Sequence, residues 1–192
     1  MQDFFEYLNK SVDINDEAKS FISSVIKIRK FNKGDVLITQ GQSEVLNNYF
    51  VFSGCLRSYV IDKDGNDHTV EFAIKDWWIS DYIAIHTDEL ASLTIECLTE
   101  SKVIEFNAKE LDGIYARFPE FESYQRHNLE RHVVSLYKRI LNQLQLSAVE
   151  RYDLFLNQYP DIEQYTRNFH IASYLGITQQ SLSRIRVEKV KK

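Results

Sequence analysis

The sequence predicts an α+β chain in which a barrel or sandwich of short strands is followed by a long helix and a small all-helical unit. Three observations carry this. From Ile28 to Phe106 short runs rich in Val, Ile, Tyr and Phe are punctuated by Gly34, Gly41, Gly54 and Gly65. From Leu129 to Leu144 apolar residues recur at helical spacing. From Ile171 to Arg186 the run IASYLGITQQSLSRIR places a glycine between two short helical patterns.

Before the strands, Asp13 to Ile26 reads as a leading helix, with Asn15 as N-cap and Ala18, Phe21, Ile22 and Val25 on one face. Within the strands, Asp64-Gly65 supplies the positive φ of a tight hairpin, so Arg57–Ile61 should pair with His68–Ile74. Asn107-Ala-Lys-Glu110 resembles a capping box and opens a helix carrying Leu111, Ile114, Tyr115 and Phe118. Pro119 then starts the long helix. Its stripe is Leu129, Val133, Leu136, Ile140 and Leu144, which either packs within the chain or pairs two subunits. Ser147-Ala-Val-Glu150 is a second capping box that begins another helix ending near Tyr159-Pro160. The expected divisions are 1–118, 119–146 and 147–192.

In the last of these, Thr166 is expected to cap a helix carrying Phe169, Ile171, Ala172, Tyr174 and Leu175. Gly176 makes a left-handed corner, and Thr178 caps the next helix. Ile177, Leu182 and Ile185 form its buried side, leaving Gln179, Gln180, Ser183 and Arg184 in front. Those types suit DNA: Gln bonds adenine bidentately, Arg forks onto guanine, and hydroxyls and amides at a helix start hold phosphate.

Charge agrees with an anionic partner at this end. Between Arg167 and Lys192 six basic residues stand against Glu188 alone, although the chain as a whole carries −5. Cys55 and Cys97 lie far apart in apolar runs and read as buried free thiols rather than a disulfide or cluster site. No run approaches the roughly 18 apolar residues of a membrane helix, and the N-terminus lacks a basic signal start, so a cytoplasmic location is expected.

These motifs resemble the Crp/Fnr (cyclic-AMP receptor/FNR) superfamily of bacterial transcription regulators, most closely its short Bacteroidetes-type members. FNKGDVLITQGQ and VFSGCLRSYVID resemble the family's corners, and IASYLGITQQSLSRIR its recognition unit. The resemblance implies a double-stranded β-roll of cyclic-nucleotide-binding type over 1–118, a dimerisation helix over 119–146, and a helix-turn-helix DNA-binding domain over 147–192. It implies a homodimer on double-stranded, pseudo-palindromic DNA, with RNA polymerase as a further partner. Gln179, Gln180, Ser183 and Arg184 would read bases. Thr178, Ser181, Arg186 and Lys189, with Lys191 and Lys192, would hold phosphates.

In cyclic-nucleotide-binding relatives a Gly-Glu pair opens the phosphate segment and Arg-Ser or Arg-Thr closes it. Here Ser80-Asp81 and Ala91-Ser92 stand in those places. Without the Arg, Asp81 and Glu89 should repel a cyclic phosphate, so cyclic AMP is not expected as effector and no cofactor is assigned. A pocket of Trp78, Ser80, Asp81, Tyr82, Ala91 and Ser92, with Trp77 beside it, would take an uncharged or aromatic ligand or be vestigial. Two other classes compete. A cupin-type metalloenzyme needs clustered ligands, whereas His68, His86, His127, His132 and His170 are scattered and no catalytic residue can be named, so an enzyme is not expected. A sensor acting through protein partners would leave the tail without a role.

Overall fold

The structure is a computed structural model that describes residues 2–87 and 89–190, the last of these by its backbone alone. Two helices lead. The first, α1 (Gln2–Leu8), buries Phe4, Phe5 and Leu8. The second, α2 (Asp16–Val25), starts where the Asn15 side chain accepts the Ala18 N–H at 2.8 Å, as its sequence suggests.

Among the described residues eight strands follow: β1 (Lys27–Phe31), β2 (Val36–Ile38), β3 (Asn47–Ser53), β4 (Leu56–Ile61), β5 (Asp67–Ala73), β6 (Trp78–Ile79), β7 (Thr94–Cys97) and β8 (Ser101–Asn107), with the short helix α3 (Tyr82–Thr87) after β6. They form two four-stranded antiparallel sheets, in the orders β1-β8-β3-β6 and β2-β7-β4-β5. Between the sheets lie Ile38, Val51, Leu56, Ile79, Ile95 and Val103. The predicted hairpin joins β4 to β5 and pairs Arg57 with Phe72 and Ile61 with Asp67. Ser58 faces Glu71 while Tyr59 faces Thr69, so Val70 is a bulge, which bends the strand and frees its carbonyl from the ladder.

The helices of the second half are α4 (Ala108–Arg117), α5 (Pro119–Gln145), α6 (Ala148–Gln158), α7 (Ile162–Tyr165), α8 (Asn168–Leu175) and α9 (Gln179–Val190). The fold is α+β, as predicted. Asn107 caps α4, Pro119 opens α5, and the Ser147/Glu150 capping box at α6 is complete on both sides. Thr166 differs from expectation. Arg167 occupies the N-cap of α8, and the Thr166 hydroxyl bonds His170 Nδ1 at 2.9 Å instead. The intervening helix α7, unseen in the sequence, brings the chain to α8 one residue later than a Thr166 cap requires.

Two further clusters position the functional parts. One joins α1, α2, α4 and the start of α5 to Phe50, Trp78 and Phe106 of the first sheet. The other joins Cys55, Phe72 and Leu98 of the roll to Tyr152, Phe155, Tyr159, Ile171 and Tyr174 of the last helices. The small helical unit therefore rests on the outer end of β5, and α8 is its contact.

Candidate nucleic-acid interface and effector site

The turn into α9 is built as its sequence implies. Gly176 adopts φ 67°, and Thr178 Oγ1 accepts the Ser181 N–H at 3.1 Å. Leu182 and Ile185 are buried beneath the helix. Gln179, Gln180, Ser183 and Arg184 are exposed, and no hydrogen bond or ion pair within the described residues engages their side chains. Thr178 and Ser181 are occupied at the cap, with their hydroxyls 3.0 Å apart.

Arg186 and Lys189 have internal roles. Arg186 pairs with Glu163 and also donates to the Tyr152 hydroxyl at 3.1 Å and to Asn168 Oδ1 at 2.5 Å. Lys189 pairs with Asp153. Both cations thus fasten α9 to α6, α7 and α8. Lys191 and Lys192 lie outside the described residues.

The segment in the place of a phosphate cradle has a different occupant. Asp81 is buried, 1% exposed, and its carboxylate accepts the N–H groups of Ala84 (3.1 Å), Ser92 (2.6 Å) and Leu93 (3.1 Å) and the Ser92 hydroxyl (2.9 Å). The expectation that Asp81 faces a ligand is therefore corrected: it turns inward, capping α3 and joining it to Ser92 and Leu93. Glu89 is exposed. Ser80 Oγ donates to the Asn47 carbonyl at 2.8 Å, and Ala91 is 3% exposed. Trp78 packs between Phe50 and Phe106 and donates its indole N–H to the Tyr124 hydroxyl at 3.1 Å. Of the six predicted pocket residues, Trp78 and Tyr82 line a cavity; Ser80, Asp81, Ala91 and Ser92 do not.

Comparison with known proteins agrees with this architecture. The family model for the cyclic nucleotide-binding domain matches residues 28–118. Over most of its length the chain shares the fold of Crp/Fnr regulators. It superposes on FixK2 from Bradyrhizobium japonicum with a TM-score of 0.74 at 16% identity, covering 85% of this chain and 84% of that one. The c-di-GMP responsive regulator CLP from Xanthomonas campestris gives 0.71 at 10% identity, covering 92% of both chains. A transcriptional regulator of the Crp/Fnr family from Eubacterium rectale gives 0.70 at 20% identity, covering 93% and 85%. No curated protein sequence is a significant match. Among the described residues no helix is long and apolar enough to cross a membrane.

Between the strands and α5 lies a cavity of about 990 Å³, lined by Trp77, Trp78, Tyr82, Glu71, His132 and Tyr159 among others. The sequence reading found its aromatic side but missed Glu71 and His132. A carboxylate interrupting the apolar run HTVEFAI was the available signal. It also missed the seam that ties the domain to the helical unit. There Ser173 Oγ accepts the Thr69 N–H at 2.8 Å and donates to the Asp67 carbonyl at 2.9 Å. Arg139 of α5 stacks 4.1 Å from the Tyr174 ring centroid and donates to the carbonyls of Val70, Thr69 and Tyr174.

Burial also shifts two thiols and an imidazole. It pushes the Cys55 and Cys97 thiols up to about 12 and about 11, so neither is a nucleophile at neutral pH. It pulls His170 down to about 4, with the Arg57 charge acting in the same direction, so the imidazole facing Thr166 is neutral.

Proposed function

We propose that the protein is a sequence-specific DNA-binding transcription regulator that works as a homodimer. One observation carries the reading: α9 buries Leu182 and Ile185 while Gln179, Gln180, Ser183 and Arg184 stand free on its solvent side. A helix held from behind with uncommitted amide and guanidinium groups in front is equipped to read a major groove. The stripe on α5 supports pairing. Leu129, Val133, Leu136, Ile140 and Leu144 are 37%, 48%, 36%, 57% and 78% exposed, an apolar face that a second α5 would cover. Two α9 helices would then meet successive grooves about 34 Å apart.

Selection of bound duplexes from a random pool tests this. A two-fold symmetric site is expected, with affinity falling steeply as salt rises. Arg184→Ala and Gln180→Ala should each weaken the selected site about ten- to a hundredfold while leaving non-specific binding nearly unchanged. Recovery of no site, with and without cell extract, would refute the reading.

Cyclic AMP is not the effector in this proposal, since Asp81 holds the donors and no Arg stands at Ala91. Calorimetric titration with cyclic AMP is expected to give no saturable heat at millimolar nucleotide. Micromolar binding would show that Asp81 yields its place.

A further inference from the structure

The cavity beside α5 contains a carboxylate without a structural partner. Glu71 has a side chain 13% exposed, and among the described residues none donates a hydrogen bond to it. His132 Nδ1 stands 3.8 Å away, beyond hydrogen-bond reach, and Arg139 turns its donors to the carbonyls of Thr69, Val70 and Tyr174. The Val70 bulge lies next to Glu71 in β5. Aromatic rings make the adjoining walls: Trp77 and Tyr159 with centroids 5.3 Å apart, Tyr159 and Tyr174 at 5.7 Å, and Tyr82 against His132 at 5.9 Å.

We propose that this cavity binds an organic ammonium, a protonated amine on an aromatic body, with Glu71 as counter-ion and Trp77, Tyr82 and Tyr159 as walls. The unpaired lone pairs of a largely desolvated carboxylate call for N–H donors, and charged donors satisfy them best. Aromatic faces attract the same cation and repel anions. The rim cations Arg131 and Lys138 are exposed and screened by solvent, so they act weakly on a ligand at depth. Asp81 and the residues that donate to it, Ala84, Ser92 and Leu93, do not line the cavity. That the ammonium serves as effector rests on the regulator reading; its binding does not.

The titratable groups around Glu71 are Tyr82 of α3, His132 and Arg139 of α5, Tyr159 after α6 and Tyr174 of α8. Burial raises Glu71 to about 7 against the opposing pull of Arg139, and burial lowers His132. Glu71 is therefore ionised at pH 8 and largely protonated at pH 6. A cation should bind better at the higher pH.

Isothermal titration of the full chain with tryptamine, tryptophol and indole-3-acetate separates charge from shape. Tryptamine is expected to bind, tryptophol at least tenfold more weakly, and indole-3-acetate not at all. The tryptamine affinity should fall severalfold from pH 8 to pH 6. Glu71→Gln should lose tenfold or more in tryptamine affinity while its Tm at pH 8 equals or exceeds that of the parent, because Gln carries no charge to bury. No tryptamine binding at millimolar concentration, equal binding of all three probes, or unchanged binding by Glu71→Gln would each overturn the proposal. Because no DNA is present, a failed titration and a failed duplex selection are separate results.

Discussion

Replacing Arg57 by Met lowers the unfolding free energy by about 3–5 kcal/mol, the usual cost of removing one partner from a buried ion pair. Arg57 sits on β4, 2% exposed. Its guanidinium forks onto Asp67 at 2.8 and 2.9 Å, donates to Glu96 at 2.6 and 2.9 Å and to Thr69 Oγ1 at 3.1 Å, and stacks 4.0 Å from the Tyr59 ring centroid. Met fills similar space, so the loss reports charge more than cavity. It leaves two carboxylates, with side chains 19% and 20% exposed, facing each other with no cation between them. Urea unfolding at pH 7 measures the change. Adding Asp67→Asn and Glu96→Gln to the variant should recover much of it, since the penalty comes from the abandoned charges. A loss below about 1 kcal/mol would mean that water already screens the network.

What the sequence made legible is local. The Ser147/Glu150 box, the Asp64-Gly65 hairpin, Asn15, Pro119 and Gly176 each act within a few residues of themselves, and each appears where its chemistry demands. What was missed depends on partners far along the chain. The Phe-rich start shows no clear period because Phe4 is held by Phe50 and Phe106, and α1 exists to deliver it. Asp81 was expected to face a ligand because sequence spacing locates a residue on the chain but not the direction of its side chain. The same limit hid Ser173, whose hydroxyl makes sense only once α8 lies on β5. Arg57 and Glu71 left a trace, since each is a charge inside a strand pattern. Nothing nearby in sequence distinguishes the one that is paired from the one that is not.

Phe72→Ala should cost about 3–5 kcal/mol, the range for deleting a buried aromatic ring, and should separate the chain into two unfolding steps. Phe72 is fully buried, and its ring meets Phe155 at 5.9 Å, Tyr159 at 5.7 Å and Tyr174 at 5.5 Å. It belongs to β5, while its three neighbours belong to α6, the turn after it and α8. The ring is therefore an apolar tie between the strand domain and the unit that carries α9. Phe106→Ala provides the contrast. That ring is equally buried, but it packs on Phe4, Trp78 and Phe121 within the first cluster. Calorimetry should show one broadened or split transition for Phe72→Ala and one sharp, shifted transition for Phe106→Ala. Identical sharp profiles would show that the junction does not limit cooperativity. The tie also touches the proposed ligand site, because Tyr159 and Tyr174 line that cavity while packing on Phe72. A ligand that shifts those two rings acts on α8 directly, and α8 holds the corner from which α9 projects.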